Sequence, residues 1–378
     1  MNDRLKETVK RFNAMLGDLS YEVVGRGELI RQIGYALLMR QHVLIEGPPG
    51  VAKSYLAKKV FERITGACTF HIQCTRKMTE DSIVGPPNVK ILREQGYFEH
   101  NVEGTLVTAH YGFLDEVFDL SSGALRALLE ILNERTFSRG RQVVKSPLQT
   151  AIATTNFNRD GDEELAAVLD RFLFRAKVKS LDSIEDKKRM LLLSSREKST
   201  ISLSDLSYLQ RMVKKVEIPD YVLQCYLQVC EGICPAITDR RLRHALEALR
   251  ASALLNGRKR ATISDIGNLD VVFVTSGDRS SENAWGASLK PYSTALEGQK
   301  ARESIILLLY RLSQLRFLAT QAEYYESIVD VAAEATQAKA ALELLKGPLV
   351  GSKFNTGMKV VNEILELADS LYEETKVS

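Results

Sequence analysis

The segment Gly47-Pro48-Pro49-Gly50-Val51-Ala52-Lys53-Ser54 sits between a short apolar run, Val43-Leu44-Ile45, and an amphipathic helical pattern that reaches Phe61. A glycine-rich loop between a strand and a helix reads as a phosphate-binding P-loop, and it commits the chain around it to a layered α/β core. Gly47 and Gly50 let the backbone fold tightly enough for successive N–H groups to face phosphate oxygens. The helix opening near Lys53 adds the positive end of its dipole. Lys53 is placed to neutralise the β- and γ-phosphates and the Ser54 hydroxyl to ligate magnesium, with Tyr55 next in the same turn. The ligands expected are ATP and Mg2+. One departure is visible: Ala52 stands where a glycine usually precedes the lysine, and its added methyl group is expected to leave binding intact.

Hydrolysis needs a second set of residues. Gly112-Phe113-Leu114-Asp115-Glu116 reads as an apolar strand ending in two carboxylates. Asp115 is expected to hold magnesium through water, and Glu116 to orient and deprotonate the attacking water. Thr69 to Cys74 and Thr150 to Thr155 read as further strands, and Gly123 to Asn133 as a helix with Leu125, Leu128, Leu129 and Leu132. Strands alternating with helices imply a parallel sheet covered on both faces. Asn156, at the carboxyl end of the strand before it, is a candidate sensor that hydrogen-bonds the γ-phosphate and the water, or else simply starts a turn.

Leu169-Asp170-Arg171-Phe172 follows an acidic helical pattern from Asp162 to Leu169, and a strand resumes from Phe174 to Val178. Arg171 is the arginine-finger candidate, with Arg175 the fallback. Such a residue often comes from a neighbouring subunit, and a solvated arginine at a helix C-terminus is the plainer alternative. Thr238-Asp239-Arg240-Arg241-Leu242 opens a long helix to about Leu255, with Asp239 the expected N-cap. Arg240 is the preferred second sensor of the γ-phosphate and Arg241 the next.

Taken with Leu132-Asn133-Glu134-Arg135, these motifs resemble MoxR-type AAA+ ATPases, especially the RavA branch, over roughly residues 20 to 275. The family commonly places alanine before the P-loop lysine. The resemblance implies a ring-forming, hexameric ATPase of the helix-2-insert group. Such proteins act as chaperones or remodelling motors on protein substrates, often beside a von Willebrand factor A domain partner. It also implies that Val24 and Gly25 border the adenine. The group carries two insertions. Asn88 to Leu106, alternating around Gln95-Gly96, and Thr136 to Pro147, around Ser138-Arg139-Gly140-Arg141, are read as hairpins facing the pore or substrate, or else as plain surface hairpins. Lys90, Arg93, Arg139, Arg141 and Lys145 are their candidate contacts.

The expected architecture is therefore an AAA+ P-loop αβα sandwich over residues 1–180, an all-α lid over 181–274, and a C-terminal helical bundle or arm over 275–378. The lid helices are expected at Ile184–Ser195, Ser204–Val213, Tyr221–Ile233, Arg240–Leu255 and Ile263–Phe273, and the tail helices around Tyr325–Ala332, Ala340–Leu345 and Val361–Leu371. Residues 281–378 are expected to dock a partner or brace the ring. The formal charge of +3 lacks the basic excess of a dedicated nucleic-acid binder, although a local basic pore acting on DNA or RNA is still open. No apolar stretch reaches the roughly 18 residues that cross a bilayer, and the polar start lacks a signal-peptide core, so a cytoplasmic protein is expected. Five cysteines and scattered histidines give no zinc-site spacing. Three function classes are compatible with these residues: an ATP-driven remodelling motor, a slowly hydrolysing nucleotide-gated scaffold or switch, and a nucleic-acid-acting relative.

Overall fold

The computed structural model describes residues 3–156, 169–193, 198–232, 238–290, 312, 315–320, 325–344 and 351–377. The acidic helix expected over Asp162–Leu169 falls almost wholly outside them. In chain order the first elements are α1 (Asp3–Glu22), α2 (Gly27–Met39), β1 (Val43–Glu46), α3 (Lys53–Glu62), β2 (Ile64–Thr65), β3 (Thr69–Gln73), α4 (Asp81–Val84), α5 (Val89–Gln95), β4 (Tyr111–Asp115) and α6 (Ser122–Glu134). There follow β5 (Thr136–Arg139), β6 (Gln142–Lys145), β7 (Thr150–Thr155), β8 (Phe174–Lys177) and β9 (Ile201–Ser202).

The five longer apolar runs make one parallel sheet in the order β3-β4-β7-β1-β8. All six residues of β7 are buried, the burial expected of an inner parallel strand whose two faces are both covered. Successive side chains point to opposite faces. Leu44, Leu114, Ala151 and Ala153 join one core with Ala124, Leu128 and Ile131 of α6, while Tyr111 meets Phe61 of α3 at 5.3 Å between ring centroids. The register aligns Glu46 with Thr155 and Lys177, and Gln73 with Asp115, so one edge of the sheet collects the carboxyl ends. The opposite edge collects the segments that enter the strands, where Phe174 N–H donates to His42 O and Gln149 N–H to His110 O.

The sheet leads into an all-α lid of helices Ile184–Leu191, Leu203–Val213, Asp220–Gly232, Asp239–Leu255, Ile263–Gly267 and Asp270–Phe273. β9 ties the lid to the core by pairing with β2, and Ser276 returns beside β8, where its carbonyl accepts from Lys177 N–H at 2.6 Å. The single helix expected over Ile263–Phe273 is two helices, separated at Asn268–Leu269. Asp265, fully buried, accepts from Arg258, Ser252 and the Thr262 backbone, and this fixes the turn before them. The N-cap of Asp239–Leu255 is Thr238 rather than Asp239, because the Thr238 hydroxyl accepts from Arg241 N–H and leaves Asp239 as the first helical residue.

The first expected hairpin is not one. Asn88 Oδ1 accepts from Ile91 N–H, Gly96 closes the last turn at φ +73, and the residues between form α5. Only Pro87 and His100 bridge across it. The second is a hairpin: β5 and β6 pair antiparallel from Thr136–Lys145 to Arg139–Gln142, with Gly140 at φ +59 in the turn. Arg139 is tied down by Glu80 and Glu130 at 2.6 and 2.7 Å, while Arg141 lies over the Tyr97 ring.

The chain divides into two compact units, Met1–Leu289 and Lys290–Ser378. Helix Arg279–Leu289 belongs to the first, where Trp285 stacks on Phe273. In the second, Tyr325–Leu344 is one continuous helix packed on Gly351–Val377, so the Ala333–Lys339 stretch joins two expected helices, and the last helix begins at Gly351, ten residues before the expected Val361. Their core holds Leu312, Leu315, Ile328, Leu342, Val361 and Ile364. Together these parts are an α/β AAA+-like core, an all-α lid and a C-terminal helical extension. No described helix is long and apolar enough to cross a membrane.

Candidate active site

The loop after β1 starts with Gly47, whose N–H donates to Thr155 O and whose Cβ, if it had one, would stand 2.3 Å from the Val178 carbonyl. Only glycine lets β1 leave the sheet there. Pro48 and Pro49 carry the turn, Gly50 adopts φ +82 with open space beside it, and Val51 is buried. Ala52 adopts φ +65 and ψ 23, the left-handed conformation, immediately before α3 begins at Lys53. The usual glycine at this position therefore has a backbone reason that motif spacing alone does not reveal.

Lys53 is 7% exposed, and its ammonium donates to Asn156 Oδ1 at 2.6 Å, Pro48 O at 3.0 Å and Gly47 O. Ser54 Oγ donates to Asp115 Oδ2 at 3.0 Å. Glu116 leaves β4 in a left-handed conformation, φ +56, which turns its carboxylate back to accept from Asn156 N–H at 3.0 Å. Lys53, Ser54, Asp115, Glu116 and Asn156 thus converge at the carboxyl edge of the sheet. Thr154 completes the set: its hydroxyl donates to Asp115 Oδ1 and accepts from Glu116 N–H. The motifs give Thr154 no role of its own; the signal in the sequence is a hydroxyl two residues before the Asn156 amide.

Burial draws the Lys53 ammonium below its ordinary range even with Glu116 and Asp115 nearby, and burial raises Glu116 above the ordinary carboxylate range. A phosphate chain fits this site, since Lys53 now spends its protons on neutral oxygens that phosphate oxygens would replace. A hydroxyl and a carboxylate side by side suit magnesium, which keeps most of its waters and is shared with nucleotide phosphates. Among the described residues no group of three or more His, Cys, Asp or Glu could cage a metal, and magnesium held in that way needs none. Val24 is buried, and Gly25, at φ +73, packs against Leu181 just beyond Val178. Tyr55 points elsewhere, its hydroxyl donating to Glu22.

The arginines occupy the other edge. Phe174 pairs with Val43, so Asp170 and Arg171 lie before the amino end of β8. Arg171 donates to Asp170 at 3.0 Å, and its buried Nε has no protein partner. Arg240 reaches the same Asp170 at 3.5 Å and Asn133 Oδ1 at 3.3 Å. Arg175 and Arg241 are consumed within the fold. Arg175 donates to the Leu169 and Phe172 carbonyls, and Arg241 to those of Leu173 and Val272. Of the four candidates, Arg171 and Arg240 are therefore the pair with capacity for a ligand, and they stand together at the edge opposite Lys53.

Residues 10–211 match the model of the MoxR domain in the MoxR-vWA-beta-propeller ternary systems, and residues 221–280 match an AAA lid domain. An uncharacterised protein of Methanocaldococcus jannaschii is 32% identical over 274 residues, 71% of each chain. The chaperone MoxR1 of Mycobacterium tuberculosis is 32% identical over 196 residues, 50% of this chain and 51% of that one. Among solved structures, a putative ATPase from Cytophaga hutchinsonii shares the fold with TM-score 0.58 at 18% identity, covering 75% of this chain and 96% of its own.

Proposed function

Because the chain belongs to the MoxR family of AAA+ ATPases, we propose that it is an ATP-hydrolysing motor that remodels protein complexes as a head-to-tail hexameric ring. The observation that carries this reading is the division of the site. The phosphate-facing residues stand at one sheet edge, and Arg171 and Arg240, which share Asp170, at the other. From Glu46 back to Val43 is about 10 Å at roughly 3.3 Å per residue, before the loops are added. Arg171 and Arg240 are therefore assigned to a neighbour's nucleotide, Arg171 as the arginine finger and Arg240 as the second sensor.

In the proposed cycle, Lys53 exchanges the Asn156 amide and two loop carbonyls for the β- and γ-phosphates. Mg2+ held near Ser54 and Asp115 would neutralise charge on the phosphate chain. Thr154 fixes the Asp115 carboxylate, so the hydroxyl–carboxylate pair is oriented before any ligand arrives. Glu116, released from Asn156 N–H, takes the proton of the attacking water, and the Asn156 amide holds that water in line. The neighbour's guanidinium groups stabilise the charge that builds on the transferred group.

The chaperone-like role rests on the family and on the named relative MoxR1. The matched family description supports a von Willebrand factor A domain partner together with a β-propeller protein. The finer RavA-like placement rests on the motifs at 47–54, 113–116, 132–135, 154–156, 169–172 and 239–242. A cytoplasmic location is proposed beside it; no described helix is long and apolar enough to cross a membrane. The test is the phosphate-release rate per subunit as protein concentration rises, with Glu116→Gln as the background control. A specific rate that climbs to a plateau with assembly is expected. A Glu116-dependent rate that stays flat while sizing shows assembly would move the slow switch ahead of the motor.

A further inference from the structure

Between the amino edge of the sheet and the lid helices lies a cavity of about 840 Å³, in the size range of small-molecule sites. Beside Arg240, already assigned to the neighbour's nucleotide, its lining carries Arg40, Arg135, Lys145, Arg211 and Lys214, against the single carboxylate Glu247. Among the described residues, no carboxylate lies within ion-pair distance of Arg40, Arg135, Lys145, Arg211 or Lys214. Burial raises Glu247 above the ordinary carboxylate range, while the nearby Lys214, Arg250 and Arg243 act against that rise, and five lining cations besides Arg240 face this one carboxylate. His42 and His244 also line the cavity, and burial lowers both, so the positive field there does not depend on their protonation.

Two further observations point to a missing anion. Arg135 donates through Nη2 to Arg40 O at 2.7 Å, but its buried Nη1 has no protein acceptor, nor has Nδ1 of His244. Burial and the neighbouring Arg40 push the Arg135 guanidinium down to about 10, the direction expected of a cation with no counter-charge. Backbone strain marks the same place. The described non-glycine residues at positive φ are Arg40, Ala52, Glu116 and Arg135. Two of them shape the nucleotide site, and the other two close α2 and α6 at the wall of this cavity. Left-handed backbone at large side chains is uncommon and gathers at functional sites.

We propose that this cavity is a second, non-catalytic anion site that binds the triphosphate chain of a free nucleotide or of inorganic polyphosphate. Several cations converging with unfilled donors match the several acceptor oxygens of such a chain, and arginines suit phosphate geometry. The site is separate from the P-loop, so it is tested in the full-length Lys53→Ala chain, where the P-loop no longer competes. Tripolyphosphate and ATP are titrated separately by calorimetry. The expected result is one site per chain for at least one of them, weakened at least tenfold in Arg211→Glu/Lys214→Glu. Arg211→Gln/Lys214→Gln should give a smaller loss, and Lys10→Glu on α1 no change. Arg211 and Lys214 are exposed, so both double variants should keep the parent melting curve; Arg40 and Arg135 are avoided because they close helices. ATP binding alone would name nucleotide as the source, and binding of both would name the phosphate chain itself. Absence of binding in Lys53→Ala, equal binding by the charge-reversed chain, or loss of binding when the chains assemble would overturn the proposal. So would tighter, Arg211-dependent binding of a duplex DNA oligonucleotide.

Discussion

Mixing two inactive variants tests the divided site most directly. Lys53→Ala removes a subunit's own phosphate contact but leaves its arginine edge intact. Arg171→Ala does the reverse. The ion pair Arg171 makes among the described residues is with Asp170, and its side chain is about one-third exposed, so its loss should leave the fold in place. Arg171→Ala alone should lose about 10³–10⁵-fold in turnover, the range for an arginine finger, and Lys53→Ala should lose turnover with its phosphate contact. In an equimolar random mixture, half of the subunits keep Lys53, and half of those meet a neighbour that keeps Arg171. About one quarter of wild-type activity should therefore return. Arg171→Ala mixed with Arg240→Ala should not recover, because both arginines belong to the same edge and every interface then lacks one of them. The assay is steady-state phosphate release at saturating ATP, above the concentration at which the chains assemble. A Lys53→Ala and Arg171→Ala mixture that shows only the sum of its parts would refute the divided site.

Ala52→Gly should raise unfolding stability by about 1 kcal/mol in urea titrations, since it relieves a left-handed alanine, with nucleotide binding retained. Asp265→Ala should cost about 3–5 kcal/mol, because it removes a fully buried carboxylate that accepts from Arg258, Ser252 and the Thr262 backbone; the fluorescence of Trp285, the only tryptophan, reports it. Glu116 must be ionised to accept a proton, and burial raises its folded value above 4.5. The acid limb of the turnover profile should therefore lie above that of an exposed carboxylate, with activity lost as pH falls through it. The same sign makes the ionised group unfavourable to the fold at neutral pH, so Glu116→Gln should not lower the melting temperature. Truncation after Leu289 should leave hydrolysis intact while abolishing capture of a partner in pull-downs; unchanged capture would end the adaptor reading of the tail.

The meeting of Lys53, Ser54, Asp115, Glu116 and Asn156 at the carboxyl edge was legible because they sit in short contiguous motifs at strand ends, where backbone direction and residue type are read together. The β5–β6 hairpin was legible for a similar reason, a glycine between two alternating runs. Val89–Gln95 misled because seven residues are too few to separate the two periodicities; Asn88 and Gly96, a good N-cap and a left-handed terminator, were the better signal. Thr238 and Asp239 are both capping residues, and only the helix's first turn decides between them. The sidedness of Arg171 and Arg240 was beyond local pattern, since it depends on the register of β8 against β1 and on where the lid helix meets Asn133.

That register has a consequence for assembly. A two-fold pair brings like surfaces together, so on the proposed reading it would set arginine edge against arginine edge and leave both nucleotides unanswered. Each productive contact has to be heterologous, which gives the assembly a direction. It either closes on itself or grows as an open filament with one unanswered nucleotide at one end and one idle pair of arginines at the other.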